Sequence, residues 1–179
     1  MKKIENSIQN RCDMTIIKIW LHLLANIQKV FLKVVYGEAI HIGKNVTWRH
    51  DFSVMIGKEG RIDIGDNCFF NNGCSLNANK YIHIGEGTLF GENVKVYDHN
   101  HRFSDFSKPI KVQGFSNGEV IVGKHCWIGS NVVLLKGTHI GDNCVIGAGC
   151  LIDGVIEDNT CIRGKLRYEK YKVVQKGVL

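Results

Sequence analysis

The densest chemistry in this 179-residue chain lies in Val96-Tyr-Asp-His-Asn-His-Arg102, where two imidazoles stand two residues apart beside Asp98. Imidazole ordinarily titrates close to neutrality, so His99 or His101 could take a proton from a substrate and return it. A metal reading of the same pair needs a third ligand, His125 or a histidine of another subunit, and no metal is expected.

A repeat of period six positions this segment. Val122, Ile128, Leu134, Ile140, Ile146 and Ile152 fall in strict register, and shorter runs read Ile64, Phe70, Leu76 and Ile84, Phe90, Val96. That period fits neither a helix nor an alternating strand, and it matches a hexapeptide-repeat β-helix in which each unit is a short strand and a corner. One residue after each aliphatic comes Gly (43, 65, 85, 91, 123, 129, 141, 147). Three residues after it comes Asn or Gly (45, 67, 73, 79, 87, 93, 131, 137, 143, 149). Both columns are read as corner residues that tolerate positive φ. Four residues after it the side chain is small (Val46, Cys68, Cys74, Thr88, Val94, Cys126, Val132, Thr138, Cys144, Cys150), which fits a narrow interior. Five of the seven cysteines fall in that column and read as core; Cys12 and Cys161 lie outside it. The register fails after Val96, so an insertion is placed at about 98–118. Three hexads close one coil, and five or six coils are expected.

Composition sets the limits. A hydrophobic share of 44% and a charged share of 22% describe a globular chain with one core. No apolar run reaches about 18 residues, so a membrane-spanning helix is not expected, and the start shows no secretory signal. The net charge of +6 is uneven: residues 1–35 and 163–179 each hold six Lys/Arg, against two acids and one, while the body between has eleven bases and fourteen acids. Basic arms on an acidic body suit small anions or a membrane surface rather than nucleic acid. Residues 14–35 read as a helix N-capped by Asp13, with Lys18, His22, Asn26, Lys29 and Lys33 as one polar stripe. Its wide apolar face is read as packing on the prism end or a neighbouring subunit, with a membrane-surface helix as the alternative. The organisation is thus a helical arm over 1–38, a β-helix over 39–162 and a basic tail over 163–179.

Cys126-Trp-Ile-Gly-Ser-Asn-Val-Val and Lys136-Gly-Thr-His-Ile-Gly-Asp-Asn-Cys-Val-Ile-Gly-Ala-Gly-Cys150, together with the loop histidine, resemble the hexapeptide-repeat acyltransferases, particularly their galactoside, maltose and xenobiotic acetyltransferase branch. The resemblance covers about residues 40–165. It implies a left-handed parallel β-helix, a homotrimer with active sites between adjacent prisms, and acetyl-CoA as donor. It makes His99 the general base and Ser130 a backbone oxyanion donor. Trp127, Gly129, Ser130, Gly147, Ala148 and Gly149 would line the donor groove, the glycines leaving room for its pantetheine arm. The end of the chain departs from the family pattern: Asp153-Gly154 stands for Thr-Lys and Leu166 for Pro, so Arg163, Lys165, Arg167 or Lys170 would have to meet the CoA phosphates. Asn71, Asn72 and Asn77, with Asp98 and His101, are candidate acceptor contacts.

The expected activity is O-acetylation of a sugar, in surface-polysaccharide synthesis, by a cytoplasmic protein that rests peripherally at the inner face of the membrane through its helix. The alternatives are N-acetylation of an amino sugar, a metal hydratase of the γ-carbonic-anhydrase type, and a non-catalytic scaffold.

Overall fold

A computed structural model describes residues 2–164. Three parallel sheets wind into a prism of nearly six coils. The first face stacks Ile40–Ile42, Arg61–Ile64, Tyr81–Ile84, Glu119–Val122, His139–Ile140 and Val155–Ile156. The second stacks Thr47–Trp48, Phe69–Phe70, Leu89–Phe90, Trp127–Ile128, Val145–Ile146 and Cys161–Ile162. The third stacks Ser53–Ile56, Ser75–Ala78, Lys95–Tyr97, Val133–Leu134 and Leu151–Ile152.

The six-residue aliphatics all point inward and are buried from Ile64 to Ile152. Each contributes roughly 1.5–3 kcal/mol by leaving water. The small column is buried throughout, and its polar members are used as well as packed. Cys68 and Cys74 donate to the carbonyls of Gly85 and Gly91, and Thr88 to that of Gly123, so each side chain ties its own coil to the next. At the helix end the interior widens into a stack of Trp48, Phe52, Phe70 and Phe90, with ring centroids 4.6–4.9 Å apart.

The two corner columns have different causes. The third-residue column is left-handed at nine of its ten Asn and Gly positions, Asn79 being the exception, and Asp51, His125 and Asn159 occupy the same register with positive φ. The first-residue glycines are not left-handed. A Cβ on Gly129 would lie 2.6 Å from the backbone nitrogen of Ala148, so stacking of the coils is what demands glycine there.

The N-terminal helix runs from Lys2 to Tyr36, well before the expected start, and Asp13 lies inside it rather than capping it. Residues 2–12 contain neither proline nor glycine, so nothing in them stops a helix from extending backwards. The helix lies across the first coil. Ala25 and Leu32 are buried, Gln28 donates to the Phe52 carbonyl (2.8 Å) and accepts from the Trp48 indole (2.8 Å), and the Tyr36 hydroxyl reaches the Val54 carbonyl (3.3 Å). Most of its apolar surface faces outward, including Trp20, Leu23, Ile27, Val30 and Phe31. Against the expectation from run length, Thr15–Ala39 is long and apolar enough to cross a membrane, with mean hydropathy 1.2. In this structure its docked side covers the prism.

Candidate active site

After Tyr97 the chain leaves the prism at the edge between the third and first faces. His99–His101 pairs antiparallel with Phe115–Asn117, and the excursion closes where Gly118 N–H donates to the Asp98 carbonyl (2.7 Å). The Asp98 side chain is fully buried. Its carboxylate accepts the backbone N–H groups of Asn79 (2.8 Å), Lys80 (2.6 Å) and Tyr81 (2.8 Å), and lies 2.8 Å from His99 Nδ1. A carboxylate with those partners accepts a proton-bearing Nδ1, which leaves the lone pair on Nε2. The His99 ring also meets the edge of Phe115 at 5.0 Å and keeps 19% of its side-chain surface open. The Asp98–His99 unit is therefore anchored and outward-facing, an arrangement that can accept a proton at Nε2. Asp98, read from sequence as an acceptor contact, is too deeply buried for that and acts through the ring it holds. His101 sits exposed on the hairpin, its ring 4.5 Å from that of Phe115.

Ser130 lies elsewhere, on the edge between the second and third faces. There the corner residues stack as His50, Asn72, Glu92, Ser130 and Ala148. Each backbone N–H of the lower coils is capped by a side chain: His50 by Asn72 (3.2 Å), Asn72 by Asn71 (2.9 Å) and Glu92 by Ser130 Oγ (3.1 Å). The same ladder on another edge caps Lys124 with Asp142 and Asp142 with Asp158, each at 2.7 Å. Above Ser130 stands Ala148, which has no acceptor to offer. Among the described residues the Ser130 N–H has no hydrogen-bond partner in the protein, and an amide so placed can donate to an oxyanion.

Trp127, half exposed, precedes this edge on the second face, in register with Leu89 and Val145. Gly129, Gly147, Ala148, Gly149 and Arg163 follow along it, with Arg163 stacked beside Gly147. Coil stacking already requires glycine at 129, while Gly149 has φ +74° and open space around the position of a Cβ. Lys165 and Arg167 lie outside the described residues, as does Lys170. Asn71 and Asn72 also belong to this edge rather than to that of His99, and Asn71 Oδ1 is engaged by Arg49 (3.3 Å). Asn77 is the one of the three near the base, in register with Tyr97.

A whole face separates His99 from Ser130 within one chain. From Glu92 to Asp98 the strand rise of about 3.3 Å per residue gives a width of roughly 20 Å. The two groups could act on one substrate only if two copies supplied them. Among the described residues no three His, Cys, Asp or Glu side chains come together as a metal site, and His125 occupies a corner on the remaining edge.

A parallel β-helix with a loop histidine and a free amide on its edge has the layout of an acyl-group transferase. The bacterial transferase hexapeptide (six repeats) model matches residues 119–154. Rv3034c of Mycobacterium tuberculosis, named as an acetyltransferase, is 34% identical over 123 residues, which are 68% of this chain and 38% of that protein. WbbJ of Escherichia coli, named for O-acetyl transfer in lipopolysaccharide biosynthesis, is 30% identical over 133 residues, covering 70% of this chain and 68% of its own length. A galactoside acetyltransferase solved in complex with coenzyme A superposes with TM-score 0.63 at 27% identity, covering 74% of this chain and 63% of that one. The chain belongs to the hexapeptide-repeat acetyltransferases.

Proposed function

We propose that the protein transfers the acetyl group of acetyl-CoA to a hydroxyl of a sugar, in the building of a surface polysaccharide, at sites formed between the subunits of a homotrimer. The observation that carries this reading is the complementarity of the two edges: an anchored imidazole on one and an uncapped amide on the other. Trp127 and Leu89, both exposed, and the apolar hairpin residues Phe103, Phe106, Ile110 and Val112 supply surface for the subunit contact.

In the proposed reaction the acceptor hydroxyl gives its proton to His99 Nε2 as its oxygen attacks the thioester carbonyl carbon. The imidazolium formed is stabilised by Asp98, and the tetrahedral oxyanion takes the Ser130 N–H of the neighbouring subunit. Collapse breaks the carbon–sulfur bond, and the CoA thiolate leaves with the proton from imidazolium. No covalent enzyme intermediate forms. Trp127, Gly147–Gly149 and Arg163 would hold the donor along the edge, and the helix would rest on the inner face of the membrane.

Labelled acetyl-CoA offered with a panel of sugars tests the chemistry: transfer to a sugar hydroxyl supports it, and transfer only to amines or non-sugars overturns it. Mixing two inactive variants tests the shared site. Chains carrying His99→Ala and chains carrying Ala148→Asp should together regain about a quarter of the sites, because random trimers pair an intact base with an intact edge that often. Recovery of none would place the whole site within one chain.

A further inference from the structure

At the foot of the edge that carries Ser130, the helix and the first two coils enclose a cavity of about 500 Å³. Phe69 gives it an aromatic wall, with Trp48 buried behind it in the prism core; Lys18 and His22 from the helix, and Arg49 and His50 from the coil, give it four cationic or protonatable groups. Among the described residues no carboxylate lines it; Asp51 lines the smaller adjoining cavity, and Glu92 is engaged by the Asn72 amide (3.4 Å). The Arg49 guanidinium lies over the Phe69 ring (5.7 Å) and gives one N–H to Asn71. Among the described residues its other donors, and the side chains of Lys18, His22 and His50, have no protein hydrogen-bond partner.

We propose that this cavity binds the phosphate of a lipid phosphate, with the hydrocarbon laid against Phe69 and the outward apolar face of the helix. The Lys18 and Arg49 cations beside an aromatic wall complement a phosphate joined to a hydrocarbon; they would not suit a neutral lipid or a bare sugar. The exposed apolar helix surface beside the cavity gives the chain a place to continue. His50 lies three coils below Ser130, about 14 Å at 4.8 Å per coil, so a sugar borne on that phosphate would extend along the edge toward the thioester. The binding does not depend on acetyl transfer; only the assignment of its source does.

The test is calorimetric titration of the full chain with dodecyl phosphate, dodecyl maltoside and inorganic phosphate, each below its micellar concentration. Dodecyl phosphate should bind saturably and about tenfold or more tighter than either control. The double variant Lys18→Gln/Arg49→Gln should lose about tenfold in that affinity while keeping its affinity for CoA and its circular dichroism. Equal binding of dodecyl maltoside, or an unchanged double variant, overturns the proposal. So does sedimentation showing that the assembled oligomer admits no probe because a second copy fills the cavity. Two arms separate the sources. A raised KM in the double variant for a dodecyl-phosphate-linked sugar, with free sugar unaffected, assigns the acceptor's carrier. Reduced flotation on phosphatidylglycerol vesicles with both KM values unchanged assigns the bilayer lipid.

Discussion

Ala148→Asp tests the oxyanion assignment directly, because it restores the one missing rung of a ladder. An aspartate at this register caps the amide of the coil below at 2.7 Å in three places, Lys44 under Asp66, Lys124 under Asp142 and Asp142 under Asp158. Ala148 is exposed, so the substitution needs no repacking. The new charge-assisted bond at the surface should add about 0.5–1.5 kcal/mol, a rise in Tm of roughly 2–5 °C for a chain of this size. The same bond takes the Ser130 N–H out of service, and loss of one oxyanion donor typically lowers kcat about 10²–10³-fold. Ala148→Ser is the uncharged control, copying Ser130 over Glu92 (3.1 Å), and should move both quantities in the same direction but less. The assay is release of CoA thiol on the best acceptor of the sugar panel, with kcat and KM separated, beside thermal melts. Both variants stabilised with kcat within threefold of wild type would refute the reasoning. A loss confined to the KM for acetyl-CoA would also refute it, since only room for the donor would have been taken.

His99→Ala should abolish turnover by about 10²–10⁴-fold with little loss of stability, since the three backbone donors keep Asp98 as their acceptor. Asp98→Asn should lower kcat comparably, because its amide turns a donor toward His99 or toward those N–H groups, and it should also cost about 2–4 kcal/mol in denaturant melts. An Asp98→Asn enzyme with normal kcat would remove Asp98 from the positioning role. Burial pushes the thiols of Cys68, Cys74 and Cys126 up, whereas Cys161 is exposed, so peptide mapping after iodoacetamide should find Cys161 alkylated orders of magnitude faster. Burial by itself raises the Asp63 carboxyl, but hydrogen bonds from Arg61 (2.9 Å) and the Tyr81 hydroxyl (2.9 Å) hold it below its ordinary 3.8. Its small stabilisation is therefore fully present above that value and lost as pH falls beneath it. The stability gap between wild type and Asp63→Asn should close on acidification, and urea melts showing it widen would contradict this.

The prism was legible because its core repeats. A six-residue register of aliphatics is imposed coil after coil by one interior, so Val122 to Ile152 could be assigned inward without any contact in view. The positive-φ column was equally open, although His125 and Asp51 fell in it outside the Asn and Gly that marked it. What one sequence read in a line does not display is the relation between stacked coils. The glycines one residue past each aliphatic were read as turn formers, yet the neighbouring backbone 2.6 Å from a Cβ on Gly129 sets that choice. Asp98 was read as facing the acceptor, yet its partners are amides of residues 79–81 that come beside it only after a full turn. Ala148 was read as lining the donor groove, and the uncapped amide beneath it appears only when the caps below it are seen. The helix was assigned, but its docked side was not: Ala25, Gln28 and Leu32 face the prism, with Gln28 donating to the Phe52 carbonyl.

A solenoid has a problem that closed folds lack: its last rung is a template for one more. Carbonyls that pair downward in one coil, such as those of Ile64 and Cys74, have counterparts on the terminal coil with no strand beneath them among the described residues, and a second molecule could supply that layer indefinitely. Gln28 and Tyr36, bonded to the carbonyls of Phe52 and Val54, occupy two of those sockets, and the helix body shields the aromatic floor behind them. The N-terminal segment thus acts as a terminator of growth, keeping the molecule from becoming the first unit of a fibre.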